Sequence, residues 1–261
     1  MKKAVLVVSF GTSYEETRIK TIDACENQIK ETFGEYDFFR AYTSTMIIKK
    51  IAKRDKCYID TPREALQRIY ELGYEEVLIQ SLHIICGDEY DKLAGQIHEY
   101  RDRFKKISVG RPLLTTIEDY EAAVKATLKE LPEVKEDEAI VFMGHGTTHP
   151  VFSAYCALEY AFREHGARAY VGTVEGYPTL QNVITQLQKD QIKTVYLLPF
   201  MLVAGDHAVN DMASDEEDSW HTCLRNSGFH VKVILKGLGE NPHIQKLFVE
   251  HAKDCIAENN G

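Results

Sequence analysis

The segment MGHGTTHP, residues 143–150, ends an apolar run on a histidine held between two glycines. Gly144 and Gly146 remove a side chain on either side of the ring, so backbone or ligand can approach His145 closely. An imidazole in that setting can bind a metal or take a proton near neutral pH. The other reading is a tight strand-to-helix turn in which the ring only packs. A second histidine, His207, closes another apolar run in LVAGDHAVND, residues 202–211.

Comparing the chain with itself decides between the two readings. VVSFGTS (7–13) resembles FMGHGTT (142–148), and VLIQSLHIICGDEY (77–90) resembles VYLLPFMLVAGDHA (195–208). Setting Gly11 against Gly146 and Gly87 against Gly205 pairs Phe10 with His145 and Glu89 with His207. A looser match of RAYTST (40–45) to VGTVEG (171–176) pairs Ser44 with Glu175. A scaffold position needs no imidazole where its twin uses phenylalanine, so packing is a poor account of these residues. Two neutral imidazoles and one carboxylate suit a borderline divalent ion such as Co²⁺, Fe²⁺, Ni²⁺ or Zn²⁺. His145, Glu175 and His207 are therefore candidate metal ligands. Glu89 has two readings, a catalytic carboxylate that relays protons or guides the cation, and a helix-start acid favoured by the macrodipole whatever its function.

The elements that must position these residues alternate between β-rich runs and longer segments of helical period. Strands are expected at 4–10, 37–42, 76–83, 106–110, 139–143, 169–175, 194–200 and 230–235, which means βα units and parallel sheets. TPREALQRIYELG carries a helix with Thr61 as N-cap, Pro62 at the first helical position, Glu64 completing a capping box and Gly73 past the end. A last helix over about 241–258 lines up Ile244, Leu247, Phe248, Cys255 and Ile256, with His251 packed or half-exposed. The repeat then predicts two copies of one α/β domain, 1–132 and 133–261, joined through the polar stretch LPEVKEDEA (131–139). Ligands in such sheets bind beyond the carboxyl ends of the strands, which places the site in a cleft between the copies.

Composition removes several function classes. With 31 Lys and Arg against 40 Asp and Glu the net charge is −9, which opposes nucleic acid or an anionic membrane as the main partner. Six cysteines lie far apart with no C-x-x-C pair, so reduced, mostly buried thiols are expected rather than a disulfide framework or a zinc ribbon. MKKAVLVVSFGTS reads as a first strand and not as a secretion signal. No apolar run approaches the roughly 20 residues of a spanning helix, and a cytoplasmic location is expected. Neither G-x-x-x-x-G-K-[ST] nor a full G-x-G-x-x-G occurs, and VVSFG does not satisfy G-x-S-x-G.

SFGTS, SLHIICGDEY, MGHGTTHP, VEGYP, MLVAGDHAVNDMASDEEDSW and GLGENP closely resemble the class II tetrapyrrole chelatases, in particular the sirohydrochlorin cobalt chelatases of the anaerobic cobalamin pathway. The resemblance covers essentially the whole chain. It implies two chelatase-like, flavodoxin-like domains, each a parallel sheet flanked by helices. It also implies insertion of Co²⁺, the substrate metal, into sirohydrochlorin on the way to cobalamin, with no nucleotide. By the same resemblance His145, His207 and Glu175 hold the metal in the interdomain cleft, and His145 is ligand and proton acceptor together. The expected partners are sirohydrochlorin and divalent cobalt, without nucleic acid or membrane, and a homo-oligomer is left open. Two alternatives stand beside this: a metal or tetrapyrrole carrier that does not catalyse insertion, and a ferrochelatase for sirohaem.

Phe10, Met201, Leu202 and Val203 are candidate apolar contacts for the macrocycle, with ordinary core or rim as the other reading. His83, whose twin is Met201, is either packed or in contact with substrate. His149 reads as a cap, Trp220 as core, and SDEEDSW (214–220) as a solvated face. The basic run KKIAKR (49–54) is a solvated face or a guide for a polycarboxylate.

Overall fold

The run KAVLVVS is buried from its second residue onward, as a central parallel strand covered on both faces must be. It forms β1 (Lys3–Ser9) in a computed structural model that describes residues 1–258. Helices α1 (Glu15–Lys20) and α2 (Ile22–Thr32) lead to β2 (Asp37–Tyr42). Next come α3 (Thr45–Asp55), α4 (Pro62–Glu71), β3 (Glu76–Ser81), α5 (Asp88–Tyr100) and β4 (Lys106–Gly110). The second repeat follows α6 (Ile117–Leu128), with β5 (Glu138–Gly146), α7 (Ser153–Glu164), β6 (Ala169–Glu175) and α8 (Leu180–Lys189). It continues with β7 (Thr194–Pro199), α9 (Trp220–Asn226) and β8 (His230–Val233), and α10 (Pro242–Glu258) closes the described chain.

Each repeat builds a four-stranded sheet, ordered β2-β1-β3-β4 and β6-β5-β7-β8, with parallel neighbours throughout. Strand register tests the internal match. Ser9 lies opposite Tyr42 and Gly144 opposite Thr173, so matching Gly11 to Gly146 carries Ser44 onto Glu175. Val8 lies opposite Ser81 and Met143 opposite Pro199, which carries Glu89 onto His207. Helix α4 starts as its residues dictate, with Thr61 Oγ1 and Glu64 forming the reciprocal capping box and Pro62 in the first turn.

The division of the chain differs from the expected halves at 132/133. One unit comprises residues 1–115 together with the chain from Pro242 onward, and the other is Thr116–Asn241. The reason lies in what the closing helix of each repeat covers. Helix α10 buries Ile244, Phe248, Ala252 and Cys255 against β3, β4 and α2 of the first unit. Helix α6, its counterpart, packs on α7 of the second. The charged stretch at 131–139 is the loop into β5 and that strand's first two residues, Glu138 and Ala139. His251 is buried, and its Nδ1 lies 3.2 Å from the Arg111 carbonyl.

The cysteines also differ from expectation. All six are free, but only Cys25 and Cys255 are buried, because Cys57 and Cys156 fall on exposed positions of a loop and of α7. Burial pushes the Cys25 thiol far above its ordinary range, which makes it inert.

Candidate functional site

Strand β5 runs three residues further than its apolar pattern, through His145 to Gly146, because Gly146 still pairs with Glu175 of β6. The two flanking glycines are required for different reasons. A Cβ on Gly144 would overlap the Tyr155 ring from α7, and the Tyr155 hydroxyl accepts a hydrogen bond from the Gly146 N–H at 3.1 Å. Gly146 has φ +83°, and a Cβ there would overlap the Glu175 carbonyl oxygen. Gly176, with φ +84°, closes in the same way on the Thr147 carbonyl, 2.5 Å from where a Cβ would stand. The turns after β5 and β6 are thus interlocked backbone to backbone, and His145 is fixed at their rim with an exposed ring.

The His145 Nδ1 lies 3.1 Å from the Gly146 carbonyl. A carbonyl only accepts, so Nδ1 carries the proton and Nε2 presents its lone pair. His207 comes from the other side of the sheet end, after β7. It enters a π-helical turn, Ala208–Met212, and its Nδ1 is 2.5 Å from Asp211 Oδ2. The two rings meet edge to face, with centroids 4.7 Å apart and planes at 88°. Glu175 ends β6 beside them with an exposed side chain. Among the described residues no group of three or more His, Cys, Asp or Glu side chains is drawn close enough to hold a metal. The structure therefore joins His145 to His207 and leaves the Glu175 carboxylate outside a three-ligand cluster.

In the first unit the matching positions carry different chemistry. Phe10 is 45% exposed, and its carbonyl accepts from the Ser44 N–H at 3.3 Å. Ser44 in turn caps α3 through Ile47 N–H. Glu89 sits in the first turn of α5 and takes the Lys92 ammonium at 2.7 Å. Burial pushes its carboxyl up, but hydrogen bonds from Lys92 and Thr43, with the Lys92 and His83 charges, together outweigh that and hold it below the ordinary carboxylate range. Of the remaining candidates, Leu202 is buried, Met201 packs on the second unit's core and Val203 is half-buried. Their loop is pinned by Leu238 and Gly239 N–H groups, which donate to the Met201 and Leu202 carbonyls at 2.8 and 2.9 Å. His149 caps the turn that follows it, its Nδ1 accepting from Val151 N–H at 3.2 Å. Trp220 is buried, with its ring filling the space beside Gly172.

His83 accounts for itself differently. Its Nδ1 lies 2.8 Å from Ser81 Oγ, while its Nε2 is sealed from solvent without a hydrogen-bond partner. Burial pushes the imidazole down to about 4, against the opposing pull of the Glu89 charge. The unfolded ring takes its proton near 6.5, so between these values the unfolded chain binds more protons than the folded one. Stability is therefore intact above about pH 6.5 and drains away as pH falls towards 4. His83→Gln is expected to lessen the stability loss between pH 7 and pH 4.5 by about 2–3 kcal/mol, at about 1.4 kcal/mol per pKa unit. Urea unfolding of both proteins at the two pH values checks this, and parallel losses would contradict it.

Two residues of the site escape sequence reasoning. Tyr155 gives no signal before α7 is placed. Asp211 does give one, since it stands four residues after His207, the spacing at which helical side chains meet.

Residues 3–257 match the family model described as "Cobalt chelatase (CbiK)". The sirohydrochlorin cobaltochelatase of Salmonella typhimurium is 46% identical over 256 residues, covering 98% of this chain and 97% of that one. The sirohydrochlorin cobaltochelatase CbiKC of Nitratidesulfovibrio vulgaris is 35% identical over 259 residues, with 98% and 91% covered. Among solved structures, SirB from Bacillus subtilis with Fe³⁺ superposes with a TM-score of 0.69 at 16% identity, covering 100% of this chain and 98% of that one. At that identity the likeness shows a shared fold. A family match over residues 3–257, together with relatives 46% and 35% identical along nearly the whole chain, means that the chain belongs to the cobalt chelatase (CbiK) family.

Proposed function

We propose that this protein is an ATP-independent chelatase that inserts Co²⁺ into sirohydrochlorin on the route to cobalamin. The observation that carries the reading is the His145–His207 pair, with ring centroids 4.7 Å apart, present in one repeat and replaced by Phe10 and Glu89 in the other. The family to which the chain belongs is described as a cobalt chelatase, which supports cobalt as the ion that pair would hold.

Insertion exchanges one divalent cation for two pyrrole N–H protons, so charge is conserved if the site gives up the metal and takes protons. Nε2 of His145 and of His207 hold Co²⁺, and Glu175, from the neighbouring strand end, supplies the carboxylate. Nitrogen and oxygen donors release a borderline ion more readily than thiolates do. As the metal moves to the macrocycle, the His145 imidazole is left as a free base that takes one of the two departing pyrrole protons, and solvent takes the other. Glu89, kept ionised by Lys92, is a weak base and acts through its charge on the incoming cation. The candidate contacts for the macrocycle are Phe10, 45% exposed, and His83 in the first unit and Met201, Leu202 and Val203 in the second. No helix among the described residues is long and apolar enough to cross a membrane, and six free thiols fit the reducing cytoplasm.

Anaerobic mixing of the protein with sirohydrochlorin and Co²⁺, followed by absorption spectroscopy, tests this. Repeated turnover above the uncatalysed rate is expected. Stoichiometric binding without turnover would make the protein a carrier, and faster insertion of Fe²⁺ than of Co²⁺ would make it a ferrochelatase.

A further inference from the structure

We infer that Asp211 is a positioning residue: its carboxylate holds the His207 ring so that Nε2 faces outward as the ligand for a divalent cation. The inference rests on the reading of His207 as a cobalt ligand.

The His207 Nδ1 and Asp211 Oδ2 atoms are 2.5 Å apart, a short charge-assisted hydrogen bond. An ionised carboxylate only accepts, so the proton stays on Nδ1 and the lone pair on Nε2. A metal-binding histidine behaves in this way when a carboxylate takes its other N–H. The ring orientation is fixed, and the electron density of the carboxylate makes Nε2 a better donor.

The backbone explains how a carboxylate reaches this place. Matching Gly87 to Gly205 sets Asp211 against Leu93, which is buried in the first unit's core. In the first repeat, α5 is a regular helix, and Leu93 follows the packed Tyr90 by three residues. In the second repeat the turn Ala208–Met212 is π-helical. There the buried pair is Ala208 and Met212, four residues apart. The wider turn hands the core position to Met212 and frees Asp211 to meet His207. Such single π turns recur at functional sites.

Burial does not hold the pair, since the two side chains are 38% and 47% exposed. An exposed pair of this kind adds little to folding stability. Loss of the carboxylate should therefore register in metal binding and not in unfolding.

The test is a double-mutant cycle on Co²⁺ binding by the protein alone, measured calorimetrically at one pH for the parent, Asp211→Ala, His207→Ala and the double variant. Asp211→Asn and melting curves run alongside, and ¹⁵N spectra of the histidine rings report the tautomer. Asp211→Ala is expected to weaken Co²⁺ binding by ~10–100-fold with an unchanged melt. It should add nothing once His207 is gone, and the His207 ring signals should lose their single Nδ1–H form. Asp211→Asn, which still accepts from Nδ1, should fall between parent and alanine. If His207→Ala weakens binding while Asp211→Ala does not, the positioning role is wrong and the ligand reading stands. Equal weakening with and without His207 would make Asp211 an independent ligand and overturn the inference. Unchanged Co²⁺ binding in His207→Ala would remove the ligand reading, and the role of Asp211 with it.

Discussion

His145→Phe and His207→Ala are each expected to lower the rate of cobalt insertion by ~10²-fold or more, the range over which a positioned acid-base or ligand group acts. Phenylalanine is the informative replacement at 145 because Phe10 occupies the same scaffold position in the first repeat, beside an equivalent strand end. The substitution removes a lone pair and leaves a ring of similar size. The His145 ring is exposed and His207 half-exposed, so neither change opens a cavity in a core, and melting should move by only a few degrees. Initial rates of the anaerobic absorption assay, set beside circular dichroism melts, give both numbers. Insertion at near-parental rates in a folded variant of either kind would remove the paired imidazoles from the mechanism.

Gly146→Ala is expected to damage stability and activity together. Its backbone is left-handed, with φ +83°, and a Cβ would overlap the Glu175 carbonyl oxygen. A left-handed residue with a side chain costs about 1–2 kcal/mol, and forcing packed atoms apart costs about 1–3 kcal/mol more. The sum, about 3 kcal/mol, corresponds to a melting point lower by ~10 °C in a chain of this size. Because the displaced atom belongs to the backbone of Glu175, the carboxylate proposed as a ligand shifts as well, and the insertion rate should fall. Gly166 supplies the control. It is also left-handed, with φ +75°, yet a Cβ there meets nothing within 4 Å, so Gly166→Ala should cost only the backbone share. Equal losses in the two variants would show that the turns after β5 and β6 can move apart.

Strands and repeat were legible because both rest on local pattern. Apolar and β-branched runs such as AVLVV, buried at every residue in β1, announce a strand between two helical layers. The twinning of Phe10 with His145 and of Glu89 with His207 needed only two glycine anchors, and strand register reproduces it. The destination of α6 and α10 was not legible. An apolar stripe such as Ile244, Phe248 and Ala252 says that a face is covered but not which sheet covers it. The π turn at 208–212 was hidden for a related reason, since one added residue changes which side chain is buried without changing composition. The position of the Glu175 carboxylate was equally out of reach. Sequence fixes the strand end that carries it, whereas the rotation of an exposed side chain answers to its ligand.

The exchange of closing helices reverses the order in which the two units can be finished on the ribosome. The unit Thr116–Asn241 is continuous and has all its parts as soon as residue 241 has emerged. The other unit begins first, but β3 and β4 stay without the cover of Phe248 and Ile244 until the stretch after Pro242 is made. At ~5–20 residues per second, everything between β4 and α10 takes roughly ten seconds to synthesise. Throughout that time the first half waits with an apolar sheet face bare, while the second half is still being made and gains its last residue just before α10 begins. That interval, and that face, are where a chaperone would find it.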